Sequence, residues 1–352
     1  MKNSVTIKEV ASKAGVSIAT VSRVINGKDR VKKETRERVE EAIRQLNYQP
    51  DLIARTMIVK ETKTVGLIVP QLSNEYWSLL SEIIQEELWS RGYTLILCST
   101  GKKTEQEIAF LNMFMERRVD GIIYGSSSLS KQGDEVHLQK VIQSGIPIVS
   151  FDETIQGAMM VVGDHLQGAV EAVEHLIGLG HRDIAYIGGS AVSINRELGY
   201  HNVFIKHGLK VNEALIKNGA DNNKNIQFAQ FGYDAVKELL SSGAKFSAIF
   251  CGNDLIAFGA IKSLEESGIQ VPDDVAIVGY DDINMAKMYK PALTTVRQPI
   301  RDIGRTAVEL LLDSIKRGKA QNPPRKIVFQ MQLVVRESCG ANRRKNGFPV
   351  ST

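Results

Sequence analysis

Two groups of residues carry side chains suited to recognition chemistry. The first group follows short apolar runs. Tyr76 and Trp77 lie beyond VGLIVP, Asp152 follows IPIVSF, Asp164 follows MMVVG, and Arg196 lies in the loop after IAYIGG. Asn253 and Asp254 follow SAIFCG, and Asp281 and Asp282 follow VAIVGY. Carboxylates and amides exchange hydrogen bonds with hydroxyls or amines, arginine suits a carboxylate or phosphate, and aromatic rings offer flat apolar faces. Such a set fits a small polar ligand. Asp or Asn directly after a strand also caps the next helix, and that reading stays open for Asp164 and Asn253. The second group, Ser17, Ile18, Ala19, Ser22, Arg23 and Asn26, sits near the N-terminus. It mixes a guanidinium, an amide and hydroxyls with small apolar side chains. Such a mixture can donate to anionic or carbonyl acceptors and also make apolar contacts.

The elements that must hold the second group are short helices. Thr6 and Glu9 have capping-box spacing, and Ile7, Val10, Ala11 and Ala14 recur at helical intervals. Gly15 supplies a turn, Ser17 can cap a second helix, and Val21, Val24 and Ile25 face inward. Two short helices with a glycine turn form a helix-turn-helix, or equally an ordinary helical hairpin. A third helix is expected over about 33–46, with Val39, Ala42, Ile43 and Leu46 on one face, ending at Tyr48-Gln49-Pro50. Residues 51–57 read as a short helical segment, too short to be stable alone, followed by a polar linker to 64.

The elements that must hold the first group alternate. Val/Ile-rich runs without polar alternation are separated by amphipathic stretches at 76–91, 104–117, 164–179 and 253–267. This is the pattern of parallel strands covered on both faces, in doubly wound α/β layers. About 280 residues exceed one such sheet, so two similar subdomains are expected. In open sheets of this kind ligands bind beyond the carboxyl ends of the strands, where the first group falls.

Charge separates the two regions. Residues 1–60 hold 13 Lys+Arg against 7 Asp+Glu, a net of +6, and the remainder holds 31 against 33, a net of −2. A basic end on a slightly acidic body points to an anionic partner at that end, foremost nucleic acid. No apolar run approaches a membrane span and no signal-peptide core is present, so a cytoplasmic protein is expected. Cys98, Cys251 and Cys339 form no CxxC, and Cys98 and Cys251 read as buried thiols. No GxGxxG, GxxxxGK[ST], GxSxG or HExxH motif occurs, and the six histidines form no ligand set. No enzyme activity, cofactor or metal is expected.

The run TIKEVASKAGVSIATVSRVING, then TRERV and LNYQP, resembles the lac-repressor/galactose-repressor family of bacterial transcription regulators. The likeness continues through GHRDIAYIGG, NDLIAFGA, VPDDVAIVGYDD and PALTTVRQP, over about residues 5–338. It implies a three-helix helix-turn-helix DNA-binding domain over 1–50, a hinge helix and linker over 51–64, and a core over 65–340 resembling the periplasmic binding proteins. The core would divide into an N-subdomain (about 65–162 plus 293–325) and a C-subdomain (about 163–292 plus 326–340), with a tail over 341–352. It also implies a homodimeric repressor on a pseudo-palindromic operator, read by Ile18, Ala19, Thr20, Ser22 and Arg23. Thr6, Ser17 and Asn26 would flank that contact, and Ala54 and Met57 would enter the minor groove. Met57 stands where relatives usually carry leucine, and Lys32 where they carry a serine cap.

The effector residues implied are Tyr76, Trp77, Asp152, Asp164, Arg196, Asn253, Asp281 and Gln298. The effector class would be a sugar, sugar phosphate or nucleobase. Other readings are a member governed by a protein partner or acting partly as activator, or a sugar-binding protein without a DNA role. The tail carries no leucine heptad, so a dimer is expected.

Overall fold

The computed structural model describes residues 5–25, 31–48, 61–125, 136–151, 155–188, 194–219, 227–318 and 324–341. The chain divides into two compact units, Met1–Thr62 and Lys63–Thr352. The expected hinge segment and its Ala54 and Met57, together with Asn26, Asp152 and the tail from 342, lie outside the described residues.

The first unit holds three helices, α1 (Ile7–Ala14), α2 (Ile18–Ile25) and α3 (Lys33–Leu46). Thr6 starts α1 through a complete capping box: Thr6 Oγ1 accepts from Glu9 N at 3.4 Å, and Glu9 Oε2 accepts from Thr6 N at 2.6 Å. Gly15 closes α1 at φ 64°, a left-handed conformation costly for any residue with a Cβ. Ser17 Oγ accepts from Thr20 N at 3.2 Å and caps α2. Lys32 gives α3 no side-chain cap, as its charged amine cannot accept, and Asn47 ends α3 at φ 47°. Val10, Ala11, Ala14, Val21, Val24, Val39 and Ala42 form the core, with Ile25, Ile43, Leu46 and Tyr48 at its margin.

The second unit contains two six-stranded sheets. The first joins β1 (Thr64–Val69), β2 (Thr94–Ser99), β3 (Gly121–Tyr124), β4 (Ile148–Ser150), β5 (Met159–Gly163) and β11 (Lys326–Phe329), in the order β11-β5-β4-β3-β1-β2. The second joins β6 (Ile184–Gly188), β7 (Ile216–Asn218), β8 (Ala248–Cys251), β9 (Ala276–Asp281), β10 (Thr294–Arg297) and β12 (Gln332–Val334), in the order β12-β10-β9-β8-β6-β7. All pairings are parallel except β10 with β12. Helices cover both faces of each sheet. On the first, α4 (Glu75–Ser90) and α12 (Ile300–Arg317) pack on one side, and α5 (Thr104–Glu116) and α6 (Val136–Ser144) on the other. On the second, α7 (His165–Gly178) and α8 (Ile194–Lys206) oppose α9 (Phe228–Ser241) and α10 (Asp254–Glu266). A short α11 (Asn284–Met288) follows β9. This is the expected pair of doubly wound α/β subdomains.

Two expected subdomain boundaries are corrected. Strand β10 belongs to the second sheet and β11 to the first. The chain therefore changes lobe between Arg297 and Ile300, not at 293, and between Phe329 and Gln332, not at 326. The reason is that Thr294 and Thr295 complete the second sheet beside β9, and the apolar helix α12 then covers the first. All three cysteines are buried free thiols.

Candidate functional site

The outer surface of α2 carries the first candidate site. Val21 and Val24 turn inward, so the helical period leaves Ile18, Ala19 and Arg23 exposed, with Thr20 and Ser22 half-buried between them. Ile18 is 45% exposed, so its side chain is free to meet a partner. Ser17 is committed to capping α2, with its hydroxyl 2.9 Å from Thr20 Oγ1. Thr6 is committed to the α1 capping box, so its contribution is to fix the helix.

The second site lies where the carboxyl ends of both sheets face each other. Arg196 projects from the first turn of α8, 7% exposed. Its Nη1 donates to the carbonyl of Gly252, its Nη2 lies 3.4 Å from Asp281 Oδ1, and its guanidinium sits 3.8 Å over the Tyr280 ring. Gln298 Nε2 donates to the same Asp281 Oδ1 at 2.7 Å. Arg196 Nε is buried without an acceptor among the described residues, a donor left over for a ligand.

Asp281 ends β9 at φ 109°, and Asp282 follows at φ 55°. Two successive residues outside the ordinary β region turn their carboxylates apart. Asp281 faces Arg196 and Gln298. Asp282 accepts from Arg297 Nε and Arg336 Nη2, each at 2.6 Å. Burial raises the Asp281 carboxyl above its usual range, against the opposing pull of Arg196 and Gln298.

Aromatic walls complete the site. Tyr76 and Trp77 begin α4 and meet edge to face at 5.2 Å, and Trp77 lies 6.2 Å from Phe151. A Cβ on Gly125 would come within 2.6 Å of the Trp77 ring, so that glycine makes room for the indole. Burial keeps the Tyr76 and Tyr280 hydroxyls protonated, and both groups feel Asp281 and Arg196. His165 Nδ1 stands 3.2 Å from the Tyr280 hydroxyl. Burial, helped by Arg196, lowers His165 to about 3, so this imidazole is neutral.

The structure brings Tyr76, Trp77, Arg196, Asp281 and Gln298 together. Asp164 and Asn253 cap α7 and α10 through Gln167 N at 3.0 Å and Ile256 N at 2.8 Å, as their sequence position allowed. Tyr280, His165 and Phe151 escape sequence reasoning, and Asp254, noted after SAIFCG, is not among the effector residues implied. Asp254 is 1% exposed and braces the wall, accepting from Thr295 Oγ1 at 2.5 Å and Ile283 N at 2.9 Å. Its position directly after Asn253 was the available signal. Tyr280 carried none, because it ends an apolar strand like any core residue.

An exposed helix face in one unit and a buried cluster of polar and aromatic side chains in the other are the parts expected of a DNA-reading protein with a sensor core. The model for bacterial regulatory proteins of the lacI family matches residues 6–51, and that for the periplasmic binding protein-like domain matches 173–339. The HTH-type transcriptional repressor PurR of Vibrio campbellii is 36% identical, covering 95% of this chain and 98% of its own. The transcriptional regulator CelR, solved as a cellobiose complex, is 31% identical with a TM-score of 0.70, covering 95% of this chain and 99% of its own. The lac repressor dimer, solved with operator and the anti-inducer ONPF, is 27% identical with a TM-score of 0.82, covering 96% and 99%.

The chain belongs to the lacI family of bacterial regulatory proteins. It is a DNA-binding transcriptional regulator, not an enzyme. No helix among the described residues is long and apolar enough to cross a membrane.

Proposed function

We propose that the protein is a cytoplasmic repressor that binds a pseudo-palindromic operator as a homodimer and is governed by a small polar effector between its lobes. The carrying observation is the presence in one chain of an exposed α2 face and a buried Arg196–Asp281–Gln298 cluster. Ile18, Ala19, Thr20, Ser22 and Arg23 read base edges, and Ser17 and Asn26 hold phosphates. In the cleft, Asp281 accepts from ligand hydroxyls, Arg196 Nε donates, and Trp77 and Tyr76 cover an apolar ring face. Asp152 belongs to the same ligand set by its place after β4. Asp164 and Asn253 shape the cleft walls while capping their helices. Ala54 and Met57 enter the minor groove as the hinge segments pair.

The effector changes the angle between lobes and thereby the pairing of the hinges, in the direction set by the lobe arrangement it prefers. Gel shifts on the protein's own promoter test this. A specific complex at physiological salt is expected, on the order of a thousandfold or more tighter than on scrambled DNA. Asp281→Ala is expected to retain that complex and lose its response to cell metabolites. No specific complex, with or without metabolites, would refute the repressor reading.

A further inference from the structure

Arg196 is already largely committed, with Nε its one unpartnered nitrogen among the described residues. Its guanidinium is shared among the Gly252 carbonyl, Asp281 and the Tyr280 ring. A second cation, at the carboxyl end of the first sheet, makes no hydrogen bond or ion pair with a carboxylate among the described residues. Lys102 follows β2, in a tight turn where Gly101 has φ 56° and Lys102 φ 62°. The turn is closed by Lys102 N donating to Thr100 Oγ1 at 3.2 Å and Lys103 N to the Thr100 carbonyl at 3.0 Å.

Its ammonium reaches the other lobe, 4.3 Å over the ring of Phe228 at the start of α9. A contact between the end of β2 and the start of α9 spans the opening between lobes. The ammonium makes no ion pair with a carboxylate among the described residues. An aromatic face attracts a cation but accepts few hydrogen bonds, leaving the ammonium's three donors largely for other groups. Burial alone shifts this lysine downward, with no carboxylate pulling the other way.

We propose that Lys102 is the specificity-determining residue for an anionic substituent, a phosphate or carboxylate, on the effector; this rests on the cleft being the effector site. The polyhydroxyl part lies against Asp281, Arg196 and Trp77, and the anion meets Lys102 at the mouth. Because the ammonium also touches Phe228, the bound anion draws a residue of the first lobe and one of the second to the same point. The phosphate and carboxylate forms share this contact and differ only in the ligand that carries it.

The test uses the full chain in thermal-shift and calorimetric titrations. The probes are glucose, galactose, fructose and ribose, their terminal phosphates, glucuronate and galacturonate, and inorganic phosphate alone. One anionic member is expected to bind at least tenfold tighter than its neutral parent. Whether it is a phosphate or a uronate identifies the source of the charge. Lys102→Gln is expected to bring that ratio to within threefold of one while leaving the neutral parent's affinity unchanged, and Asp281→Asn to weaken both. The proposal is overturned by equal binding of neutral and anionic members, by a preference that survives in Lys102→Gln, or by inorganic phosphate stabilising both proteins equally. It is also overturned if no anionic member binds. Neutral binding that depends on Asp281 would then leave the cleft reading standing, and binding indifferent to Asp281 would remove that as well.

Discussion

The helical head and the α/β core present recognition residues in opposite ways. In the head, small side chains such as Val10, Ala14, Val21 and Ala42 make the interior, and Ile18 and Arg23 stay outside it. In the core, Arg196 and Gln298 are themselves interior residues, with Arg196 Nη1 and Nη2 and Gln298 Nε2 held by protein partners. A surface reader can be changed without touching stability, because nothing packs on it. A buried reader is part of the structure that supports it, so specificity and stability change together.

Four substitutions sharpen or break this contrast, and the two tryptophans help. Trp77 and Trp89 both lie in the core, so fluorescence follows the core alone, while circular dichroism also registers the helical head. The largest effect is expected from Arg196→Ala, which leaves Asp281 buried beside Gln298 without its cation. The core transition should fall by about 3–5 kcal/mol in urea, with the head unmoved. A shift below about 1 kcal/mol would show that Arg196 is as expendable as a surface residue.

Next is Val21→Ala, which opens a gap at a fully buried position of a small core. It should destabilise the head by roughly 2 kcal/mol, seen by circular dichroism, without moving the fluorescence transition. Arg23→Ala should cost about 1–3 kcal/mol of discrimination at one base pair per half-site, with no change in either transition. Equal weakening on every DNA sequence would mean that Arg23 touches only phosphate.

The smallest effect at neutral pH is expected from His165→Gln. Folding holds this imidazole neutral to about 3, whereas its ordinary value is 6.5. Below 6.5 the unfolded chain takes up a proton that the folded core refuses, so stability is lost as pH falls from 6.5 towards 3, by at most ~1.4 kcal/mol per pH unit. The glutamine variant should lose that part of the acid slope. Urea midpoints compared at pH 7.5 and 5 check this, and parallel slopes for the two proteins would remove His165 from the account.

The same contrast explains what could be read from the sequence. The head is written locally: Thr6 and Glu9 are three residues apart, Gly15 marks the turn, and the inward valines keep the helical period. The six apolar runs named at the outset all became strands, β1, β4, β5, β6, β8 and β9. Strands β7, β10, β11 and β12 were missed because each is short and carries polar residues, such as Lys217, Asn218, Arg297, Lys326 and Gln332, that interrupt its apolar side chains. That is also why two lobe boundaries moved. In the cleft, the strand-end rule reached Arg196 and Asp281, but their meeting across 85 positions is a product of topology. Gln298 came only by resemblance, and Tyr280 and Lys102 not at all. Their importance lies in what the opposite element brings to them.

The paired kink at Asp281 and Asp282 has a consequence for how variants of this family should be compared. One peptide unit joins a carboxylate that meets the ligand cluster to a carboxylate that clamps Arg297 and Arg336, which flank the second and third passages between lobes. On the proposed reading, the first would meet the effector and the second would tie the cleft to the chain segments that pass between lobes. Natural variation at 281 should therefore track chemical taste, and variation at 282 the sense or gain of the response. Two regulators could then answer the same compound with opposite signs while differing at a single neighbouring position.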